Sequence, residues 1–461
     1  MTQYASAKIR LSDELAHRGL SRSSGATVRD KCVWLALIST ALPSLYDTEW
    51  KLELGPGSLY LADLALFGAA IASIKVIRGT PAAGLVASVA LVAGIVGIVN
   101  GATVSWVIRD SRPMLYMLAG MAIGRYIFLH PRSVRFGCRA MIWLIGITAA
   151  LAAMSQLTSI PIIGNEAGAV NAVYYNGERT LLAARRVQSE PVPLALLTFC
   201  ILCSSWILRY RISDLIGRNY TKFAIVASVF LTTLAYSRNS IVGIVVALTL
   251  SVLIPHRSTR GTRLGRVIVL GVATSVLVGL PVWIGYQYGL FKNVIDTFSG
   301  RVLAGIAPEV IATDPSVGWR FVEMRAAWSY VLQHPLFGTG FGAFYRPRIA
   351  DEPFVGDQGR LYLHNYFALL GVKFGIVCGL LLLVAFLICA VRMVRAGNQE
   401  PSGFSEMWPA MACGFIALLT VSAVAPVMYS RSFIAFGGCL LACGLSLRAS
   451  EAVADTRRRW K

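Results

Sequence analysis

The chain has 461 residues, of which 56% are hydrophobic and only 14% charged, with a mean hydropathy of +0.63. A soluble globule cannot cover its surface with so few charges, so the composition specifies a polytopic membrane protein. The formal net charge of +20 is a matter of topology rather than of a nucleic-acid partner, because its distribution follows the membrane crossings.

A helix needs roughly 20 apolar residues to cross the hydrocarbon core, and about twelve stretches meet that length or nearly so. They lie near 33–46, 60–76, 82–99, 113–129, 141–157, 193–208, 223–236, 241–255, 267–286, 366–394, 408–425 and 433–447. The fold class expected is therefore all-α. Threaded from a cytoplasmic amino terminus, these crossings put nearly all of the surplus Lys and Arg into alternate, inner loops, which the positive-inside rule requires. The parts are then a cytoplasmic arm (1–32), nine transmembrane helices (33–288), a large outer loop (289–360), three further helices (361–447) and a basic cytoplasmic tail (448–461). The nine cysteines fall in spans or at inner ends, none in an outer loop where oxidation would pair it. Cys200 and Cys203, inside an apolar helix, are small packing residues. No cleavable signal peptide is visible in the polar, basic arm.

Along the chain, the first outer loop (47–57) is short and acidic, and Asp63 follows just inside the next span, facing either a partner or solvent. The first five spans, rich in Ala, Gly, Val and Leu, form a scaffold of closely packed helices. The loop 158–190 carries Tyr174, Tyr175, Asn176, Glu178, Arg179, Arg185 and Arg186 and reads as solvated or, more weakly, as a sugar contact through its aromatic and amide groups. Between the seventh and eighth spans, Tyr236-Ser237-Arg238-Asn239-Ser240 is a tight outer turn. Its lone Arg is either a snorkelling anchor or, with hydroxyl and amide neighbours to fix its fork, an anion contact.

The loop 289–360 is the longest polar interval and is neutral as a whole, so any anion site in it depends on local placement. Residues 319–334 have helical spacing. Phe321, Met324, Trp328 and Leu332 form an apolar stripe, with Arg320, Glu323, Ala327, Tyr330 and His334 on the other side, as expected of a helix lying along a membrane surface. Pro335 ends it. Gly338-Thr339-Gly340-Phe341-Gly342 reads as a compact turn between Phe anchors, or more weakly as a backbone nest for phosphate. His364 stands at a water–membrane boundary beside Tyr362 and Asn365. Lys373, further along the same span, is an intramembrane charge whose partner is expected to be Asp63 or a ligand phosphate.

Taken in this order, Leu234-Ala235-Tyr236-Ser237-Arg238, Arg320, Trp328, the run from His334 to Gly342, His364-Asn365 and Gly375-Ile376-Val377 resemble the O-antigen ligase and O-antigen polymerase superfamily of bacterial envelope enzymes. The resemblance covers the second half of the chain. It implies a fold similar to the membrane-embedded C-type glycosyltransferases. It also implies transfer of a glycan from undecaprenyl diphosphate to an acceptor on the periplasmic side of the inner membrane, with no metal, nucleotide or other cofactor. Carried over by residue, Arg238 and Arg320 are the diphosphate-contacting arginines and His364 the candidate base. Ser237, Arg325, Arg360, Tyr362, Asn365 and Lys373 complete the candidate substrate contacts. The sequence departs from the usual pattern in having Asn239 after the arginine of the turn, Cys378 where the histidine motif commonly ends in Gly, and no Asn-Pro-Asn-like element before the sixth span.

The chemistry suits these residues. Arginine forks match phosphate oxygens, and a neutral His accepts a hydroxyl proton at physiological pH. Direct attack would invert the anomeric centre. Three readings stay open: a polymerase of O-antigen or exopolysaccharide repeat units, for which a chain-length regulator is a further partner; a ligase that transfers the finished glycan to lipid A-core; and, from another class, a transporter or flippase of anionic lipid-linked substrates.

Overall fold

The computed structural model describes residues 26–43, 45, 51–54, 57–77, 81–158, 160, 162–163, 171–175, 178–182, 187, 189–210, 212–254, 260–274, 280–289, 292–303, 312, 315–348, 358–399, 407–425 and 427–459. They form a helical bundle. In chain order the helices are α1 (Val28–Ser39), α2 (Leu61–Ile77), α3 (Pro81–Val99), α4 (Val104–Leu129), α5 (Val134–Thr158), α6 (Pro191–Leu208), α7 (Ile212–Ile216), α8 (Arg218–Leu234) and α9 (Arg238–Leu253). They continue with α10 (Arg260–Thr274), α11 (Leu280–Gln287), α12 (Lys292–Phe298), α13 (Pro315–Gln333), α14 (Gln358–Leu361), α15 (Tyr366–Gln399), α16 (Trp408–Val421) and α17 (Arg431–Arg459). Among the described residues, four helical stretches are long and apolar enough to cross a membrane: Ala82–Val99, Pro131–Thr158, Pro191–Leu208 and Tyr366–Gly397. Leu61–Ile74, Arg238–Leu253, Trp408–Val421 and Arg431–Leu447 are shorter apolar helices. The chain is a multi-pass membrane protein.

Small residues let these helices approach closely, as they must where surrounding lipid offers no hydrophobic drive for association. A Cβ on Gly120 of α4 would stand 2.0 Å from the Ala435 carbonyl oxygen of α17, and one on Gly438 of α17 would stand 2.2 Å from Met117 O. The main core runs through α4, α15, α16 and α17, with Met117, Phe386, Phe415 and Phe433 fully buried.

One end of the bundle is tied together by bonds between helix termini. The Tyr366 N–H donates to Ser422 O (2.9 Å) and the Val187 N–H to Leu234 O (3.0 Å). Ser432 N–H donates to Glu190 Oε2 (3.0 Å), Arg431 Nε to Thr40 O (3.2 Å) and Asn100 Nδ2 to Thr339 O (2.9 Å). The carboxyl ends of α1, α3, α8 and α16 thus share this end with the amino ends of α6, α15 and α17. Gly243 of α9 packs against Val421 of α16, which brings the amino terminus of α9 to the same end.

Three differences from the sequence reading stand out. The loops at 47–57 and 158–190 each contribute a two-stranded antiparallel hairpin, β1 (Lys51–Leu54) with β2 (Gly57–Tyr60) and β3 (Asn171–Tyr175) with β4 (Glu178–Leu182). Asn176, Arg185 and Arg186, singled out in the second loop, lie outside the described residues. The fourth helix begins at Val104 rather than at 113, so Arg109, Asp110 and Arg112 are helical. Packing makes that tolerable, since Arg109 lies over the Trp106 ring, Arg112 lies over the Tyr60 ring, and Asp110 is buried with partners of its own. Finally, α17 continues past 447 to Arg459, so most of the basic tail is helical.

Candidate functional site

Helix α13 carries the site. Pro315 opens it, where its missing N–H costs nothing, and the chain turns at Pro335. Its apolar stripe points away from the protein: Phe321 is 71%, Trp328 55% and Leu332 73% exposed, whereas Glu323 is 1% exposed and Ala327 and Val331 are buried against α15. A surface helix that hides a carboxylate and shows its aromatics has the polarity of an interfacial helix.

The loop after α13 is a plug. Gly338, Gly340 and Gly342 have φ of 64°, 74° and 74°, and a Cβ on Gly338 would fall 2.2 Å from Val372 O, so both the conformation and the space require glycine. Every N–H of the run is taken. Gly338 donates to His334 O (3.1 Å), Thr339 to Val372 O (2.6 Å), Gly340 to Lys373 O (3.1 Å) and Phe341 to Ala93 O (2.8 Å). Gly342 donates to Asp110 Oδ2 (2.8 Å). The compact-turn reading therefore holds and the phosphate nest does not, because no N–H is left to bind an anion. The loop also answers a break in α15 at Gly375 (φ 75°, ψ 172°). Its N–H groups take the Val372 and Lys373 carbonyls freed by the break, while the Ile376 N–H donates to Pro335 O (2.8 Å). Irregular backbone at membrane depth survives only where protein satisfies it.

Lys373 is corrected by the structure. Its ammonium lies 2.6 Å from Asp110 Oδ2, with Ala343 O at 3.3 Å, and both side chains are buried. Asp63 instead accepts the Tyr116 hydroxyl and the Tyr60 N–H. Asp110 also accepts the Tyr429 hydroxyl on Oδ1 (2.8 Å). The pair is closed, so Lys373 serves the fold rather than a ligand phosphate.

His364 is held differently. Its Nδ1 lies 2.8 Å from Glu323 Oε2, and its backbone N–H reaches the same oxygen at 3.3 Å. Trp319 Nε1 donates to Glu323 Oε1 (2.9 Å). The imidazole packs edge-on against Tyr362 (5.3 Å between centroids), and Tyr362 packs in the same way against Tyr429 (5.9 Å). The His364 side chain is 25% exposed. Burial and the Glu323 charge push the Tyr362 phenol up, and Arg320 opposes them; the phenol stays protonated, and the Arg320 guanidinium lies within electrostatic reach of it. Burial, then Asp110, pushes Tyr429 well up.

Two grooves flank α13. The first, of about 410 Å³, runs between α13 and α15 and is lined by Met324, Trp328, Val331, Ala368, Gly379 and Leu383, with Asn365 as its polar member. The second, of about 480 Å³, is lined by Ser329, Tyr330, Gln333, Phe344, Arg346 and Arg360. Arg360 lies over the Phe344 ring (3.8 Å) and its Nε donates to Arg346 O (3.2 Å).

The expected site residues therefore divide. His364, with Tyr362 against its ring, is held by Glu323, and Arg320 stands three residues before Glu323 on the same helix. Asn365 sits beside them as the amino cap of α15, its Oδ1 accepting the Ala368 N–H (2.9 Å). Arg360 lines the second groove. Arg325 is exposed, two residues from Glu323 and so on the other side of α13, over an open depression with Phe321 and Ser329. Ser237 and Arg238 are half-buried at the start of α9, which Tyr236 enters in the left-handed region (φ 46°). They share the end of the bundle with His364, on a different helix. Sequence reasoning missed the roles of two acids. Glu323 stands on the polar side of its helix in the sequence, with no partner visible there, and Asp110, between Arg109 and Arg112, falls between two expected spans and carries no signal of its own. Among the described residues no three His, Cys, Asp or Glu side chains converge as metal ligands.

A helical bundle with several helices apolar enough to cross a membrane, a broken span and a buried carboxylate holding an imidazole at one end defines a multi-pass membrane protein. Residues 223–384, about a third of the chain, match the family described as O-antigen ligase, so this stretch is similar to the O-antigen ligase and polymerase superfamily of membrane glycosyltransferases. The match spans α8 to the middle of α15 and so contains Arg238, Arg320, Glu323, His364 and Lys373. Comparison with curated proteins gives no match.

Proposed function

We propose that this chain transfers a glycan en bloc from undecaprenyl diphosphate to an acceptor hydroxyl at the periplasmic face of the inner membrane, as a polysaccharide polymerase of O-antigen or exopolysaccharide units. The observation that carries this reading is the buried Glu323 carboxylate holding a partly exposed His364 imidazole, next in sequence to Asn365, which lines the apolar groove. The apolar groove suits a prenyl chain, with the diphosphate at its outer mouth near Arg320. The second groove, with aromatic faces, hydroxyl, amide and guanidinium groups, suits a glycan. In the transfer, the acceptor oxygen forms a bond to the anomeric carbon as the bond from that carbon to the phosphate oxygen breaks. The leaving diphosphate keeps the electron pair and is stabilised by Arg320 and Arg238, while His364 takes the acceptor proton. Fixed donors at such a position contribute on the order of 3–4 kcal/mol each.

About twelve crossings are proposed, with the His364 end outside, because the surplus positive charge then stays inside. The helix ends that meet near His364 support this count. Transfer to lipid A-core is the second reading, favoured by the description of the matched family. Purified protein given lipid-linked repeat units should lengthen them in EDTA; transfer only to lipid A-core decides for the ligase, and full activity in Arg238→Ala, Arg320→Ala and His364→Ala variants sinks the site. Orientation is read from Gln333→Cys, an exposed position, which should react with an impermeant thiol reagent from outside. Labelling only after lysis reverses the topology.

A further inference from the structure

We infer that Glu323 is a positioning residue for His364. It fixes the imidazole in the tautomer that carries its proton on Nδ1, so that Nε2 presents a lone pair to the acceptor hydroxyl. The inference rests on the reading of His364 as the base.

The geometry is specific. An ionised carboxylate can only accept, and the three donors that reach Glu323 come from the Trp319 indole, the His364 backbone and the His364 ring. The first two can do nothing but donate. With both oxygens approached by donors and the carboxylate 1% exposed, the ring nitrogen at 2.8 Å is satisfied by donating its own hydrogen. A neutral imidazole that donates from Nδ1 is left with an accepting Nε2. Trp319 and the His364 backbone N–H fix the carboxylate on two sides, and the Tyr362 ring limits rotation of the imidazole. When the acceptor proton arrives on Nε2, the resulting imidazolium faces a negative charge already in place, so the buried carboxylate stabilises the product of the proton transfer without becoming protonated.

Packing alone would impose a different ranking of variants. Glu323→Gln keeps the shape and removes the charge, whereas Glu323→Asp keeps the charge and shortens the arm. The expected result, with the full-length protein in lipid nanodiscs and a lipid-linked glycan donor, is a fall in kcat of about 100-fold for Glu323→Gln, with the donor KM within about twofold of wild type. Glu323→Asp should retain more of kcat than the Gln variant. A Gln variant with wild-type kcat, or an Asp variant below it, overturns the proposal. A second readout does not depend on turnover. The chain has five histidines, so ¹⁵N-histidine labelling gives few signals, and the one lost in His364→Ala is that of His364. It should report a single neutral tautomer with Nδ1 protonated in the wild type and a mixture in Glu323→Gln; the same tautomer in both overturns the assignment. If His364→Ala remains active, the reading of His364 as base fails. If that variant is inactive while Glu323→Gln keeps both wild-type rate and tautomer, only the role given to Glu323 fails.

Discussion

Two buried carboxylates, Asp110 and Glu323, hold a basic side chain at nearly the same distance, 2.6 Å to Lys373 and 2.8 Å to His364, and they serve opposite ends. Around Asp110 every group is turned inward. The ammonium, the Gly342 N–H and the Tyr429 hydroxyl complete the carboxylate, and neither member of the pair meets solvent. Around Glu323 the carboxylate is as well satisfied, but its basic partner is a quarter exposed. The comparison teaches that burial of an acid beside a base does not mark a reactive site. What separates the two pairs is exposure: the Lys373 ammonium is sealed with its acid, and the His364 imidazole is a quarter open.

That distinction can be broken or sharpened by experiment. The largest effect is expected at the open pair, where His364→Ala should lower the transfer rate about 10²–10⁴-fold while the thermal transition in detergent stays near that of wild type; a parallel loss of both would make the open pair structural. At the closed pair the order reverses. Asp110→Asn or Lys373→Met alone leaves a buried charge without its partner and should cost about 3–5 kcal/mol of stability, visible as reduced yield and an earlier thermal transition. The double variant should recover a good part of that loss, and no recovery would show that the two residues act separately.

Tyr429→Phe sits between the pairs, since its hydroxyl serves Asp110 and its ring supports Tyr362. It should cost about 0.5–1.5 kcal/mol and lower turnover only a few-fold, and a loss as deep as that of His364→Ala would extend the reactive site to Tyr429. The smallest effect is expected for Arg325→Ala, on the far side of α13 from Glu323. Donor transfer should stay within about twofold of wild type, since surface changes usually fall within about 0.5 kcal/mol. A large rise in donor KM would restore Arg325 to the site.

Particular residues show how far the sequence could be read. The amphipathic helix expected at 319–334 forms at Pro315–Gln333, and the apolar stripe written from its spacing is the face left exposed, because a 3.6-residue period is a local property that survives any packing. The Tyr236–Asn239 turn forms for the same reason. Legibility ends where partners come from afar. Asp110 meets Gly342, Lys373 and Tyr429 from three distant stretches, and in the run of α4 through Arg109 and Arg112 the second arginine lies over Tyr60 of another element.

What the sequence by itself determined is a multi-pass helical protein with one long polar interval, the surface helix inside it, and a stretch, 223–384, that matches the O-antigen ligase family. Hydropathy, helical period and motif order are all written along the chain. Only the tertiary structure decided that the glycine run is a plug for a broken span, that Lys373 belongs to Asp110, and that Glu323 belongs to His364. Those assignments depend on which donors and acceptors reach one another across the fold, and spacing along the chain carries no record of that.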